Sequence, residues 1–357
     1  MISAMPSTRP RIEWMDVIKA TAVVVIVLSH AVDLTAPVAH GGPAQTVWQI
    51  LMTIVEPMRM PLFFMISGML AVSALKRPWN KIRRRTWGMA YLYVVWSVIF
   101  FAVVAWYERS PWIEHILEYI RLMLIAGDGY WYLYAMVLYF CIVKLTHRWP
   151  IWILFAIAIV FNLAKEPLLD FNREHLLGPG SSSMFVKILI NFVFYLIGVH
   201  FKTIIERIAT YASWPRIIGL VAVLSVIGIW RFNTPWTWEQ SLLPANLLYI
   251  VLAVMLASTL VVYPKVRAYG TRIGRQTLPI FVVQFPFMLI LQQWFKNEST
   301  LYQNQWFIAI FPIAFLAFDI AFALTLHRLT QRNFGRYLFE VPHWVARDER
   351  SKASTSS

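Results

Sequence analysis

Lys19 and His30 lie eleven positions apart in the otherwise apolar stretch DVIKATAVVVIVLSHAVDL, residues 16–34. Eleven residues make close to three turns of α-helix, so both side chains fall on one face, about 16 Å apart along the axis. Asp33 follows His30 by three residues and neighbours it on that face. A carboxylate beside a histidine can fix the tautomer and raise the basicity of the ring. Such a histidine can take the proton of a hydroxyl group. Ionisable residues in an apolar helix are costly and commonly functional. Lys19 also reads as a lysine snorkelling to the interface, and His30 as a structural residue.

A second region, VEPMRMPLFFMISGML at 55–70, places Glu56 and Arg59 at i,i+3. They could neutralise each other, or Arg59 could present its guanidinium to an anionic or carbonyl group, with Glu56 the next candidate base. Ser67 and Gly68 suit close helix packing, and no elbow motif surrounds Ser67 to make it a nucleophile. A third region, KRPWNKIRRRTW at 76–87, holds six cations, among them Arg83, Arg84 and Arg85. Such a loop holds topology and attracts anionic lipid, or docks a phosphorylated ligand through guanidinium groups. No glycine-rich phosphate loop is present, and GDG at 127–129 does not replace one. Trp131, Asn191, Gln284 and Asp319 lie in or beside apolar runs and read first as helix glue. No metal-ligand spacing occurs, and His115, His147, His175, His200, His327 and His343 stand singly.

The elements that must carry these residues are helices in a membrane. Of 357 residues, 59% are hydrophobic and 14% charged, against roughly 25% charged in a soluble domain. Seventeen tryptophans fit interfacial aromatic belts. The single cysteine, Cys141, excludes intrachain disulfides and a cysteine-rich metal site. A bilayer core takes about 20 apolar residues per helix. Ten runs answer to that length: 17–36, 46–75, 86–106, 129–145, 150–164, 184–201, 216–231, 243–263, 277–295 and 304–326. Pro57 and Pro61 should divide or kink the second. Residues 113–127 have the charge spacing of an amphipathic helix on the membrane surface.

The fold class expected is therefore all-α, a polytopic membrane protein of about ten transmembrane helices. Most of the 32 basic residues fall in segments on one side, so that side is cytoplasmic, both termini lie there, and the 165–183 loop is outside. The net charge of +14 is explained by topology rather than by nucleic acid. A cytoplasmic segment 1–16, a transmembrane domain 17–326 and a cytoplasmic tail 327–357 follow, the tail ending in a disordered ARDERSKASTSS. The N-terminus lacks the pattern of a cleaved signal peptide.

These features resemble the acyltransferase family 3 membrane proteins, in the branch of fucose 4-O-acetylase-like proteins. Asp16, Lys19 and His30 are similar to the family's first-helix motif, RMPLFFMISGML to its second-helix motif, and KIRRR to its basic loop. YWYLYAMVLYF, with Trp131, resembles its tryptophan-containing helix and LPIFVVQFP its late helix. Gln284 stands where many members have histidine. The resemblance implies a bacterial inner-membrane enzyme that uses cytoplasmic acyl-CoA, usually acetyl-CoA, and a carbohydrate hydroxyl at the outer face. It gives His30, oriented by Asp33, the role of base, and Arg59 that of oxyanion partner. Lys19, Arg83, Arg84, Arg85 and Trp131 then belong to donor binding, with no metal cofactor. The expected partners are a carbohydrate acceptor and the lipid bilayer, and a homo-oligomer is compatible with the sequence. The same intramembrane charges would also serve a transporter or flippase of a glycan or lipid-linked precursor, or a non-catalytic sensor or scaffold.

Overall fold

A computed structural model describes residues 13–35, 42–108, 113, 115–175, 182–232, 243–297, 304–332, 334–342 and 345. Among them the only regular structure is helical. In chain order the α-helices are α1 Glu13–Thr35, α2 Pro43–Leu75, α3 Arg83–Glu108, α4 Ile116–Leu124, α5 Trp131–Leu145, α6 Ile151–Leu163 and α7 Lys165–His175. Then come α8 Ser182–His200, α9 Lys202–Thr210, α10 Trp214–Phe232, α11 Leu243–Leu260, α12 Pro264–Gly274, α13 Thr277–Asn297 and α14 Gln305–Thr330. Short 3₁₀ turns follow α2 and α14.

Each of the ten apolar runs is a helix. Five are long and apolar enough to cross a membrane: α1, α2, α11, α14 and the part of α3 from Arg85. Up to eight qualify if each bent pair counts as one span. The pairs α6–α7, α8–α9 and α12–α13 bend by 67°, 75° and 64°. The shorter apolar helices are α5 and α10. The protein is an all-α polytopic membrane protein.

Two expectations change in detail. α2 is one helix of 33 residues, undivided by Pro57 and Pro61. Missing N–H groups leave the carbonyls of Thr53 and Pro57 without their i+4 donors, and both residues border the cavity described below. The presumed 165–183 loop begins with helix α7, bent away from α6 at a one-residue break. α1 starts at Glu13 and α14 runs to Thr330. Residues 346–357, read as a disordered end, lie outside the described residues.

α1 is buried along most of its length and packs against α2, α12, α14, α13 and α11. α2 and α8 meet most intimately. A Cβ on Gly68 would collide with the Tyr195 carbonyl, and one on Gly198 with the Met65 carbonyl. Small residues let membrane helices approach at backbone distance, where dispersion and packing hold them together. Other contacts fix the ends. The Asn304 side chain caps α14 by accepting from the N–H groups of Trp306 (2.9 Å) and Phe307 (3.4 Å). After α14, the backbone returns to α3: Trp96 Nε1 donates to the Leu338 carbonyl (2.7 Å) and the Tyr91 hydroxyl to that of Tyr337 (3.1 Å).

Candidate active site

A cavity of about 440 Å³ opens between α1, α2, α5, α6, α8, α11 and α13. Its wall includes His30, Glu56, Arg59 and Trp131. Four residues singled out from sequence, and carried by three helices, are thus brought together. Phe281 and Phe285 of α13 form an apolar side, and Asn162, Asn191 and Asn246 come from α6, α8 and α11.

His30 is half-buried. Its Nδ1 lies 3.2 Å from Oε1 of Gln284, a residue 254 positions away and fully buried. Gln284 Nε2 donates to the Phe281 carbonyl at 3.1 Å. A carbonyl only accepts, so the amide nitrogen faces Phe281 and the amide oxygen faces His30. That oxygen requires a proton on Nδ1, so in the neutral ring the lone pair lies on Nε2. Nε2 has no hydrogen-bond partner among the described residues and is not a sealed orphan. The ring leans on Phe285, with centroids 5.1 Å apart.

Asp33, expected to orient His30, does not hydrogen-bond to it and is itself exposed. Three residues in a helix advance the direction by about 300°, not 360°, and the remaining 60° carries Asp33 off the His30 wall. The orienting partner is Gln284, which sequence reading ranked as helix glue. No local spacing could reveal a pair so distant in sequence.

Arg59 donates to the Ser29 hydroxyl, which in turn donates to the Ile26 carbonyl at 2.8 Å. The guanidinium is thereby anchored one residue from His30. Of the two readings of the Glu56–Arg59 spacing, the ion pair is not formed among the described residues, and Glu56 stands exposed on the cavity wall. Trp131 is placed by the turn before α5. There, Asp128 accepts from the Tyr130 N–H (2.9 Å) and from the Ser97 hydroxyl. The Tyr130 hydroxyl donates to the Val282 carbonyl (2.7 Å), tying that turn to α13.

Lys19 and the basic loop belong to a different part of the molecule. Lys19 pairs with buried Asp16 at 2.7 Å, whose other oxygen is 3.9 Å from Arg275 Nε. It does not line the cavity. Arg85 donates to the carbonyls of Leu70 (3.0 Å) and Ser67 (3.3 Å) and lies 5.5 Å from the Phe140 ring centre. Arg83 is exposed, and the Arg84 side chain lies outside the described residues. Two cavity-lining lysines, Lys165 and Lys187, escaped sequence reading. The signal for Lys187 was present: a lysine inside the apolar run 184–201.

Comparison with known proteins gives two matches. A protein-family model described as an acyltransferase domain matches residues 12–326. The inner membrane protein YcfT of Escherichia coli (strain K12) is 22% identical over 365 aligned residues, covering 92% of this chain and 96% of that protein. No solved structure matches.

Proposed function

The chain belongs to the acyltransferase domain family, and from that premise we propose that it is an inner-membrane O-acyltransferase. It moves an acyl group, by preference acetyl, from cytoplasmic acyl-CoA to a hydroxyl of a surface or secreted glycan. The observation that carries this reading is the contact of His30 Nδ1 with Gln284 Oε1 on the wall of a polar cavity. It gives the membrane interior a neutral imidazole with an open nitrogen, which is what a hydroxyl acceptor needs. The name of the Escherichia coli relative supports the membrane assignment.

In this mechanism His30 Nε2 takes the proton of the glycan hydroxyl as its oxygen attacks the thioester carbonyl. Negative charge develops on the carbonyl oxygen, and Arg59, held by Ser29, supplies N–H donors to it. The C–S bond then breaks. The coenzyme thiolate recovers the proton from the imidazolium, and the products are an ester and free CoA thiol. The coenzyme's phosphates belong at the basic end of the molecule, with Lys19, Arg83, Arg84 and Arg85. Its pantetheine arm spans the about 16 Å to His30. Trp131 and the α13 phenylalanines flank the reacting groups.

The test is acyl transfer by purified protein, read as CoA thiol release on adding acceptor. His30→Gln keeps hydrogen-bonding capacity but takes up no proton, and the expected loss is about 10²–10⁴-fold. Near-normal transfer by folded His30→Gln would make the histidine a packing residue.

A further inference from the structure

Arg59 on α2 and Lys187 on α8 share the cavity wall with His30. Neither makes an ion pair among the described residues. The carboxylates nearby are Glu56, on the same wall, and Asp33, off the wall on α1, and neither reaches ion-pair distance of them. Lys165, the third cation on the wall, has Glu166 at 3.8 Å. Among the described residues the wall thus carries three cations and one carboxylate, with Glu166 beside one of the cations. Lys187 is exposed, with its ammonium bound to no described residue. Of the five N–H donors of Arg59, one is used, on Ser29. Charges inside a membrane protein are costly unless compensated, and among the described residues no anion is in ion-pair contact with Arg59 or Lys187.

We infer that Arg59 and Lys187 form an anion-binding subsite beside His30, which takes a carboxylate or phosphate carried by one of the two reactants. A guanidinium and an ammonium on the wall of one cavity suit those groups, through short charge-assisted hydrogen bonds. The four remaining donors of Arg59 suffice for both the anion and the reacting carbonyl. The anion comes with the sugar, as a uronic acid or sugar phosphate, or with the donor, as an acyl group ending in a carboxylate. That it belongs to a reactant rests on the acyl-transfer reading; the subsite itself does not.

Binding to the purified full-length protein in detergent tests it. Thermal-shift titrations compare glucuronate and glucose 6-phosphate with glucose, and separately succinyl-CoA with acetyl-CoA. One series is expected to favour its anionic member by about tenfold or more, and Lys187→Gln to remove most of that preference. Lys187→Arg keeps it. Preference among the sugars assigns the anion to the acceptor; preference among the thioesters assigns it to the acyl group. In the wild-type protein the preference should weaken as salt is raised, a measurement that stands even where Lys187→Gln fails to fold. Equal affinities in both series, a salt-independent preference, or one that survives Lys187→Gln overturns the subsite. Discrimination without thiol release would count against acyl transfer alone, and thiol release without discrimination against the subsite alone.

Discussion

A histidine acts as a base through whichever ring nitrogen lacks the proton, so its partner matters as much as its position. In this protein the partner is an amide. Gln284 can only accept from Nδ1 while its own nitrogen is bound to Phe281. An uncharged partner sets the tautomer without adding a buried charge, which suits a membrane interior. Gln284→Leu is expected to lower kcat by about 10–100-fold, the range seen when a histidine loses its outer hydrogen-bond partner. The KM for acyl-CoA should stay the same. Gln284→His, which restores an acceptor nitrogen, should recover part of the loss, whereas a merely structural residue would show lower protein yield and no kcat-specific defect. At this scale the sequence disclosed His30, Arg59, Glu56 and Trp131, because each is a costly or bulky residue inside an apolar run. It misassigned the orienting partner, since a helical wheel shows only neighbours on one helix.

Helices α2 and α8 carry most of the cavity's polar wall and hold each other at backbone distance through Gly68 and Gly198. Arg59 and Lys187 therefore keep their spacing only while those glycines stay bare. Gly198→Val forces a side chain into the Met65 carbonyl, and overpacking of this kind costs about 1–3 kcal/mol. The expected result is a lower thermal midpoint in detergent, together with lost acyl transfer; an unchanged midpoint would refute the close-packing account. The basic end of α2 is also structural. Lys144 binds the carbonyls of Leu75 (2.8 Å) and Arg77 (2.5 Å), beside the Arg85 contacts with Ser67 and Leu70. Cations at a helix C-terminus offset its partial negative charge. An Arg83/Arg84/Arg85→Gln triple variant would consequently disturb α2 as well as the proposed donor binding. The apolar runs were legible because hydropathy sets helix length. The continuity of α2 was not, because neighbouring helices decide whether two prolines break a helix.

For the whole molecule, the asymmetry of Lys and Arg leads us to propose that both termini lie on the cytoplasmic side. Reporter fusions after Arg85 and at Ser182 should then give opposite answers. Identical answers would refute this orientation. The membrane class and the helical fold could be read from composition alone, through a low charge content and long apolar runs. Assembly could not, because it depends on contacts between distant parts of the chain. His30 reaches Gln284 across 254 residues, and α1 packs on α12, α13 and α14. A ribosome must therefore release nearly the whole polypeptide before the first helix, already beside α2, meets α12, α13 and α14. Until then the nascent chain holds Asp16, Lys19 and His30 in the membrane with their later-made partners, Arg275 and Gln284, still unsynthesised. The cavity wall around His30 is thus among the last parts to be completed, so a chain truncated before α13 would carry the first-helix residues without the Gln284 contact.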